Sequence, residues 1–173
     1  KTSDANTTED EYYNIIGNKT AVLFAVACEI GAILGKVQQN KRISLKNFGY
    51  NLGMAFQLRD DILDYTSYDN VLGKNVGTDL KEGKVTLPLI HTIKYVNDTE
   101  RAFIEKTLNK NNVTARDFRK ISYMIKKYGG IDYTYAMTEK YTGAAKGFLN
   151  VFDDDPYKKA LLALTDFMLK RKT

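Results

Sequence analysis

The segment GMAFQLRDDILDY, residues 53–65, gathers the side chains best suited to chemistry. Advancing by about 100° per residue from Gln57 puts Asp61 at roughly 40°, Asp64 at roughly −20° and Asp60 at roughly −60°. Gln57 and the three acids thus share one stripe roughly 100° wide. Ala55, Phe56, Leu58, Ile62 and Leu63 fill most of the remaining arc, with Arg59 as the exception. Such a helix is expected to be buried except along its acid stripe. Carboxylates crowded in this way repel one another and resist losing water, so a largely buried version calls for a cation. Hard Mg²⁺ suits carboxylate oxygens, keeps several waters, and takes one or two protein carboxylates plus substrate phosphate oxygens. A calcium loop matches less well, because D-x-D-x-D-G is absent and the acids fall on a helix. Directly afterwards comes GKNVGTDLKEGK, residues 73–84, with Lys74, Lys81 and Lys84 among three glycines. Glycines let backbone N–H groups approach anions, and ammonium groups supply point charges for phosphate oxygens. Each segment alone has a plainer reading, as a solvated acidic face paired with lysines or as a solvated turn. Together they point to metal-bridged binding of a diphosphate.

The elements that position these groups read as helices. Two prolines in 173 residues, apolar residues at helical spacing and almost no period-two alternation predict a nearly all-α chain. Thr8 with Glu11 forms a capping-box pattern ahead of Tyr12, Ile15 and Ile16, so a first helix starts there. After Gly17 a second stretch runs from Lys19 to about Gly35. Its small residues Ala21, Ala25, Ala32 and Gly35 allow close approach, which suggests a central place in the bundle. Ser44 is expected to cap the helix that carries the acid stripe to Tyr65, and a long glycine-punctuated loop, 69–84, follows. Thr86 and Pro88 open a helix through Tyr95, Thr99 one through Leu108, and Thr114 one that stops at Gly129-Gly130. The last two helices are expected over 131–149 and, after Asp153-Asp154-Asp155-Pro156, over 157–170.

Composition narrows the class. With 43% hydrophobic and 27% charged residues the chain can bury one core of ordinary size. A single cysteine, Cys28, and a single histidine, His91, exclude an internal disulfide and a Cys/His zinc cluster. Cys28 reads as a small buried residue and His91 as structural. The longest apolar run, 21–30, is cut by Glu29, so no transmembrane segment is expected, and no signal-like segment opens the chain. The net charge of +5 favours anionic partners. The lysines are scattered and no aromatic-basic cluster accompanies them, so nucleic acid is not expected among those partners.

At these residues the chain resembles the polyprenyl synthetases, the trans-isoprenyl diphosphate synthases. Phe56-Gln57 followed by Asp60-Asp61-Ile62-Leu63-Asp64 looks like that family's second aspartate-rich motif. Leu72-Gly73-Lys74, Gly77-Thr78-Asp79-Leu80 and Gly83-Lys84-Val85-Thr86-Leu87-Pro88 resemble the stretch after it, and Lys19-Thr20-Ala21 is similar to the upstream KTA motif. The likeness continues through Gly129-Gly130-Ile131 and Ala160-Leu161-Leu162. It implies an all-α bundle of the isoprenoid synthase type and a Mg²⁺-dependent prenyltransferase of isoprenoid biosynthesis. The reaction implied is a 1′–4 condensation of isopentenyl diphosphate with an allylic diphosphate to a longer trans-polyprenyl diphosphate. By family position Asp60 ligates Mg²⁺, with Asp61 and Asp64 ligating it or holding its waters, and Lys19, Lys74 and Lys84 bind the allylic diphosphate. Thr20 and Gln57 direct oxygen dipoles at the carbocation, and Phe56 lines the isopentenyl site. The departing diphosphate serves as the final base, so no histidine is needed.

The family's first aspartate-rich motif lies upstream of KTA, and this chain has no such segment. Asp153-Asp154-Asp155 is no substitute, since it precedes a proline in a late loop. Residues 1–173 are therefore expected to be the C-terminal part of a single polyprenyl synthetase domain, inactive without the preceding half, with that half as a partner. The pattern is closer to medium- or long-chain enzymes than to farnesyl synthases. The resemblance further implies homodimers and an intracellular location, in cytoplasm or organelle. Two alternatives are a terpene cyclase of the same fold, whose second metal motif reads differently, and a non-catalytic partner subunit, which tends to lose the acids that are intact here.

Overall fold

A computed structural model describes residues 4–66 and 77–170, and every regular element among them is helical. In chain order these are α1 (Glu9–Ile16), a π-helical turn (Gly17–Ala21), α2 (Val22–Leu34), α3 (Gln39–Thr66), α4 (Thr78–Lys81), α5 (Leu87–Ile93), α6 (Asp98–Leu108), α7 (Ala115–Lys127), α8 (Gly130–Phe148), a 3₁₀ turn (Leu149–Val151) and α9 (Pro156–Lys170). The chain forms two compact units. The first holds the residues up to Tyr12 with Asp60–Tyr135, and the second holds Tyr13–Arg59 with the residues from Ala136 on.

The second unit is built on α2 and α3. Ala21, Ala25 and Ala32 are buried, and a Cβ on Gly53 would stand 2.6 Å from the Ala21 Cα, so small side chains set this approach. Gly35 plays no part in it, being the exposed C-cap of α2. Gly17 does not end a helix. The chain continues in helical conformation through the π-helical turn, and a Cβ there would lie 2.6 Å from the Tyr50 hydroxyl oxygen, so this glycine is a spacer against α3. The resulting stretch, Glu9–Leu34, is long and apolar enough by length and composition to cross a membrane, unlike the shorter run read from the sequence. The core helix of a soluble protein passes the same test. Within this chain the large apolar residues Leu23, Val26, Ile30, Ile33 and Leu34 of α2 are exposed, Leu34 by 77%, while Ala25, Ala32 and, in part, Phe24 are covered.

Helix α3 starts five residues before the expected cap at Ser44. Glu29 explains the early start: it pairs with Arg42 at 2.7 Å and Lys46 at 3.0 Å, two residues one helical turn apart, and so fixes the first turns of α3. Phe48 and Leu52 of α3 form a core with Ala145, Leu149 and Met168. Asp155 accepts a hydrogen bond from the Lys158 amide and Asp154 pairs with the Lys158 ammonium, so the late acidic run anchors the start of α9.

In the first unit the helix starts are set by side-chain caps. Thr8 and Glu11 form the expected reciprocal pair, and Thr114 with Asp117 closes another box at the start of α7. At α6 the cap is Asn97 rather than Thr99: its side chain accepts from the Glu100 amide while Glu100 accepts from the Asn97 amide. The core holds Leu87, Leu89, Ile104, Ile121, Met124 and Ile125. His91 stacks on Tyr133 with ring centroids 4.2 Å apart, and burial pushes its pKa down, as suits a packing role.

Candidate active site

Residues 57–64 lie within the unbroken helix α3, so the register that aligns Gln57 with the three acids holds. The acids are nevertheless unequal. Asp61 is 2% exposed, and the Tyr12 hydroxyl donates to its Oδ2 at 2.5 Å. The stripe is therefore not uniformly solvated: Asp61 is buried and accepts from a phenol. Arg59, the polar residue on the apolar arc, is buried too.

Asp64 is half-buried and turned towards the short helix α4. Its Oδ1 accepts from the Thr78 amide at 3.1 Å, its Oδ2 from the Asp79 amide at 3.2 Å, and its backbone carbonyl from the Gly77 amide. Gly77 makes this possible with a left-handed φ of 73°. A side chain there would also strike the Phe118 ring, with a Cβ only 2.4 Å from it. Burial, and then the Asp79 carboxylate, push the Asp64 pKa up against the pull of the three amides. The cost of burial, with the Asp79 carboxylate added to it, thus outweighs what the neighbouring amides offset.

Asp79 is the residue that sequence reasoning left without a role. Lys84 pairs with it at 3.0 Å and with Glu82 at 2.7 Å, and these carboxylates hold the Lys84 pKa well above its ordinary value. An anion reaching Lys84 must compete with that pairing. Lys74 lies outside the described residues.

The second unit carries the other expected groups. Lys19 and Thr20 sit on the π-helical turn, a distortion that recurs at functional sites. Lys19 is exposed, and the Thr20 hydroxyl donates to Gln57 Oε1 at 2.9 Å, joining two residues 37 positions apart. Phe56 is partly buried beside the core of this unit, its ring 5.4 Å from that of Phe24.

The sequence of this chain matches the polyprenyl synthetase family model over residues 1–125. The chain belongs to that family. It is 36% identical over 166 residues to the geranylgeranyl diphosphate synthase of Sulfolobus acidocaldarius, covering 95% of this chain and 50% of that protein. Over 167 residues it is 38% identical to the geranyl-diphosphate-specific all-trans-nonaprenyl-diphosphate synthase of Rhodobacter capsulatus, covering 96% and 50%. The polyprenyl synthase of Caulobacter crescentus, solved with calcium and isoprenyl diphosphate, superposes with a TM-score of 0.93 at 39% identity, covering 99% of this chain and 52% of that one. The polyprenyl synthetase chain thus has the all-α isoprenoid synthase fold and spans about half the length of the curated relatives it matches.

The family implies magnesium, and the donor set fits it in a particular way. Among the described residues no three His, Cys, Asp or Glu side chains converge into a self-contained metal cage. Asp60 and Asp64, four residues apart on one helix face, are the arrangement suited to an ion that takes one or two carboxylates and completes its shell with waters and ligand phosphate oxygens.

Proposed function

We propose that this chain is the C-terminal part of a trans-polyprenyl diphosphate synthase, a prenyltransferase that condenses isopentenyl diphosphate with an allylic diphosphate. The observation that carries the reading is the family match together with an acid helix whose Asp60 and Asp64 share a face next to α4. Asp60 and Asp64 hold Mg²⁺, with Asp61 keeping the helix seated through Tyr12. Bound magnesium neutralises the charge that builds on a departing diphosphate, which is the electrostatic core of such an ionisation. Lys19, Lys74 and Lys84 attract and orient the allylic diphosphate, Lys84 by exchanging a carboxylate partner for phosphate oxygens. Thr20 and Gln57 present oxygen dipoles to positive charge developing on the allyl group, and Phe56 forms an aromatic wall for isopentenyl diphosphate.

The whole catalytic domain includes the half that precedes this chain in its relatives, with a first acid motif of its own. The exposed apolar stripe of α2 supports this, since Leu23, Val26, Ile30, Ile33 and Leu34 form a face of the kind that another segment would cover. Homodimer formation and an intracellular setting belong to the same reading.

The test follows incorporation of labelled isopentenyl diphosphate into longer prenyl diphosphates by the intact protein with Mg²⁺. The expected result is turnover by the intact protein, none by residues 1–173 alone, and a drop of at least about 100-fold for Asp60→Asn/Asp64→Asn. Activity that survives loss of both acids refutes the assignment.

A further inference from the structure

A second polar site lies on the first unit, along the outer face of α7. A cleft of about 470 Å³ is lined by Thr66, Arg119, Ser122, Tyr123, Lys126 and Asp132. That volume falls in the range of roughly 300–1,000 Å³ typical of ligand clefts. One wall is a single stripe of α7, because residues 119, 122, 123 and 126 recur at the three- and four-residue spacing that stacks side chains on one face, and the end of α3 and the start of α8 supply the rest. Thr66 points away from the acids of α3, lying about 200° round the helix from Asp64. Tyr65, which also lines the cleft, lies about 100° from Asp64, so the cleft adjoins the acid face of α3 without including its carboxylates.

Three features of the cleft are unresolved within the protein itself. Ser122 Oγ is buried and has no hydrogen-bond partner. Arg119 and Lys126 are exposed, and neither forms an ion pair among the described residues although Asp132 lines the same cleft. Two other cations of the helix are engaged: Lys120 sits 3.9 Å from the centre of the Phe103 ring, and Lys127 pairs with Glu100 at 3.0 Å. Residues 119 and 126 are about 10 Å apart along the axis with Ser122 between them. Two long basic side chains can close from either end on an anion, and rotation about the Ser122 Cα–Cβ bond can turn its buried hydroxyl towards it. We propose that this cleft binds a phosphate-class anion, held by Arg119, Lys126 and the Ser122 hydroxyl. Asp132 supplies an acceptor for a hydroxyl on the ligand, and Tyr123 and Ile131 an apolar rim. The ligand class is a phosphoester with a small hydroxylated body, either free or as a phospholipid headgroup. The inference is independent of the synthase reading.

The test titrates glycerol 3-phosphate and inorganic phosphate into the intact protein without Mg²⁺ and follows backbone amide resonances of Ser122 and Ile131. A parallel arm measures co-sedimentation with phosphatidylcholine vesicles with and without phosphatidylglycerol. The expected result is saturable shifts at these amides, weakened at least about tenfold in Arg119→Ala/Lys126→Ala and unchanged in Lys120→Ala/Lys127→Ala. Circular dichroism establishes that both double variants are folded. Vesicle binding displaced by glycerol 3-phosphate identifies the lipid source, and soluble binding alone identifies the free ligand; either leaves the site standing. No saturable shift, or equal weakening in the two double variants, overturns the proposal.

Discussion

Tyr12→Phe isolates the contact that distinguishes Asp61 from its neighbours. The substitution removes one oxygen and keeps the ring, which is buried in the first unit, so packing is preserved. What is lost is a donor to a carboxylate that is 2% exposed. Hydrogen bonds to charged groups contribute about 1.5–3 kcal/mol, and a buried acceptor deprived of its donor keeps its desolvation cost. We expect a loss of about 2 kcal/mol, read as a fall in Tm of roughly 4–8 °C for a chain of this size. Asp61→Leu alone takes the acceptor from the Tyr12 hydroxyl and is also destabilising. The double variant Tyr12→Phe/Asp61→Leu removes both partners of this hydrogen bond, so it should recover part of the summed loss, with a coupling of at least about 1 kcal/mol. Urea unfolding followed by circular dichroism measures all four corners of the cycle. Single losses that add to within about 0.5 kcal/mol would refute the argument, because they would mean that the two groups do not share their stabilisation.

Other outcomes follow from the same geometry. The native Asp64 carboxyl holds its proton to higher pH than the ordinary value of 3.8, chiefly through burial. Because the native state then binds more protons than the unfolded one, stability falls as pH rises from 3.8 through the raised pKa and is level above it. Asp64→Asn should flatten that slope, and an unchanged slope in denaturation curves across this window would exclude Asp64 as its source. Asp117 is the opposite case: Lys110, then Thr114, bring its pKa to about 2. Its contribution is present above 3.8 and disappears as pH falls towards 2, so the stability difference between wild type and Asp117→Asn should shrink over that interval. Gly77→Ala forces a side chain into a left-handed backbone and against Phe118, and should destabilise by at least about 1–2 kcal/mol. Phe118→Ala should not restore the backbone part of that loss. Leu23→Lys/Leu34→Lys should leave residues 1–173 folded yet weaken their association with the preceding half by at least about tenfold, which pull-down titration of the two halves measures.

How much of this was legible in the sequence depended on the range of the interaction responsible. The boxes at Thr8/Glu11 and Thr114/Asp117 are written in residues three apart, and the structure closes both. The Asn97/Glu100 box is equally local, but Thr99 two positions on carries a competing signal, and only the hydrogen bonds decide between them. The start of α3 was not legible, because Ser44 has a capping side chain whereas Glu29, the residue that stabilises the earlier turns, is on another helix. Gly17 looked like a break because glycine disfavours helix interiors, yet its reason is Tyr50, 33 positions away. Helix α4 has four residues, too few for any periodicity to register. In the candidate site the register of the acids along α3 was readable, since an angle on a helix needs only spacing. The partners of those acids were not, because Tyr12 stands 49 positions from Asp61 and looks in sequence like an ordinary apolar helix residue.

The different partners give the three acids of the motif different freedom. Asp61 is buried and accepts from the Tyr12 hydroxyl inside the first unit, so its replacement is felt first as a loss of stability. Asp64 holds both α4 amides with its two oxygens, and a cation drawing on those oxygens must share them with Thr78 and Asp79. Metal binding at Asp64 would therefore also act on the placement of α4, and through Asp79 on Lys84. A carboxylate whose pKa burial has already raised gains more from a nearby cation than a solvated one does, because the cation relieves a cost that water would otherwise have met. On this reasoning Asp64→Asn should alter Lys84 as well as the metal affinity, whereas Asp60→Asn should alter the metal affinity alone. Lysine side-chain NMR on Lys84 with and without Mg²⁺ separates the two: a Lys84 signal that responds equally in both variants would mean that α4 does not carry the coupling.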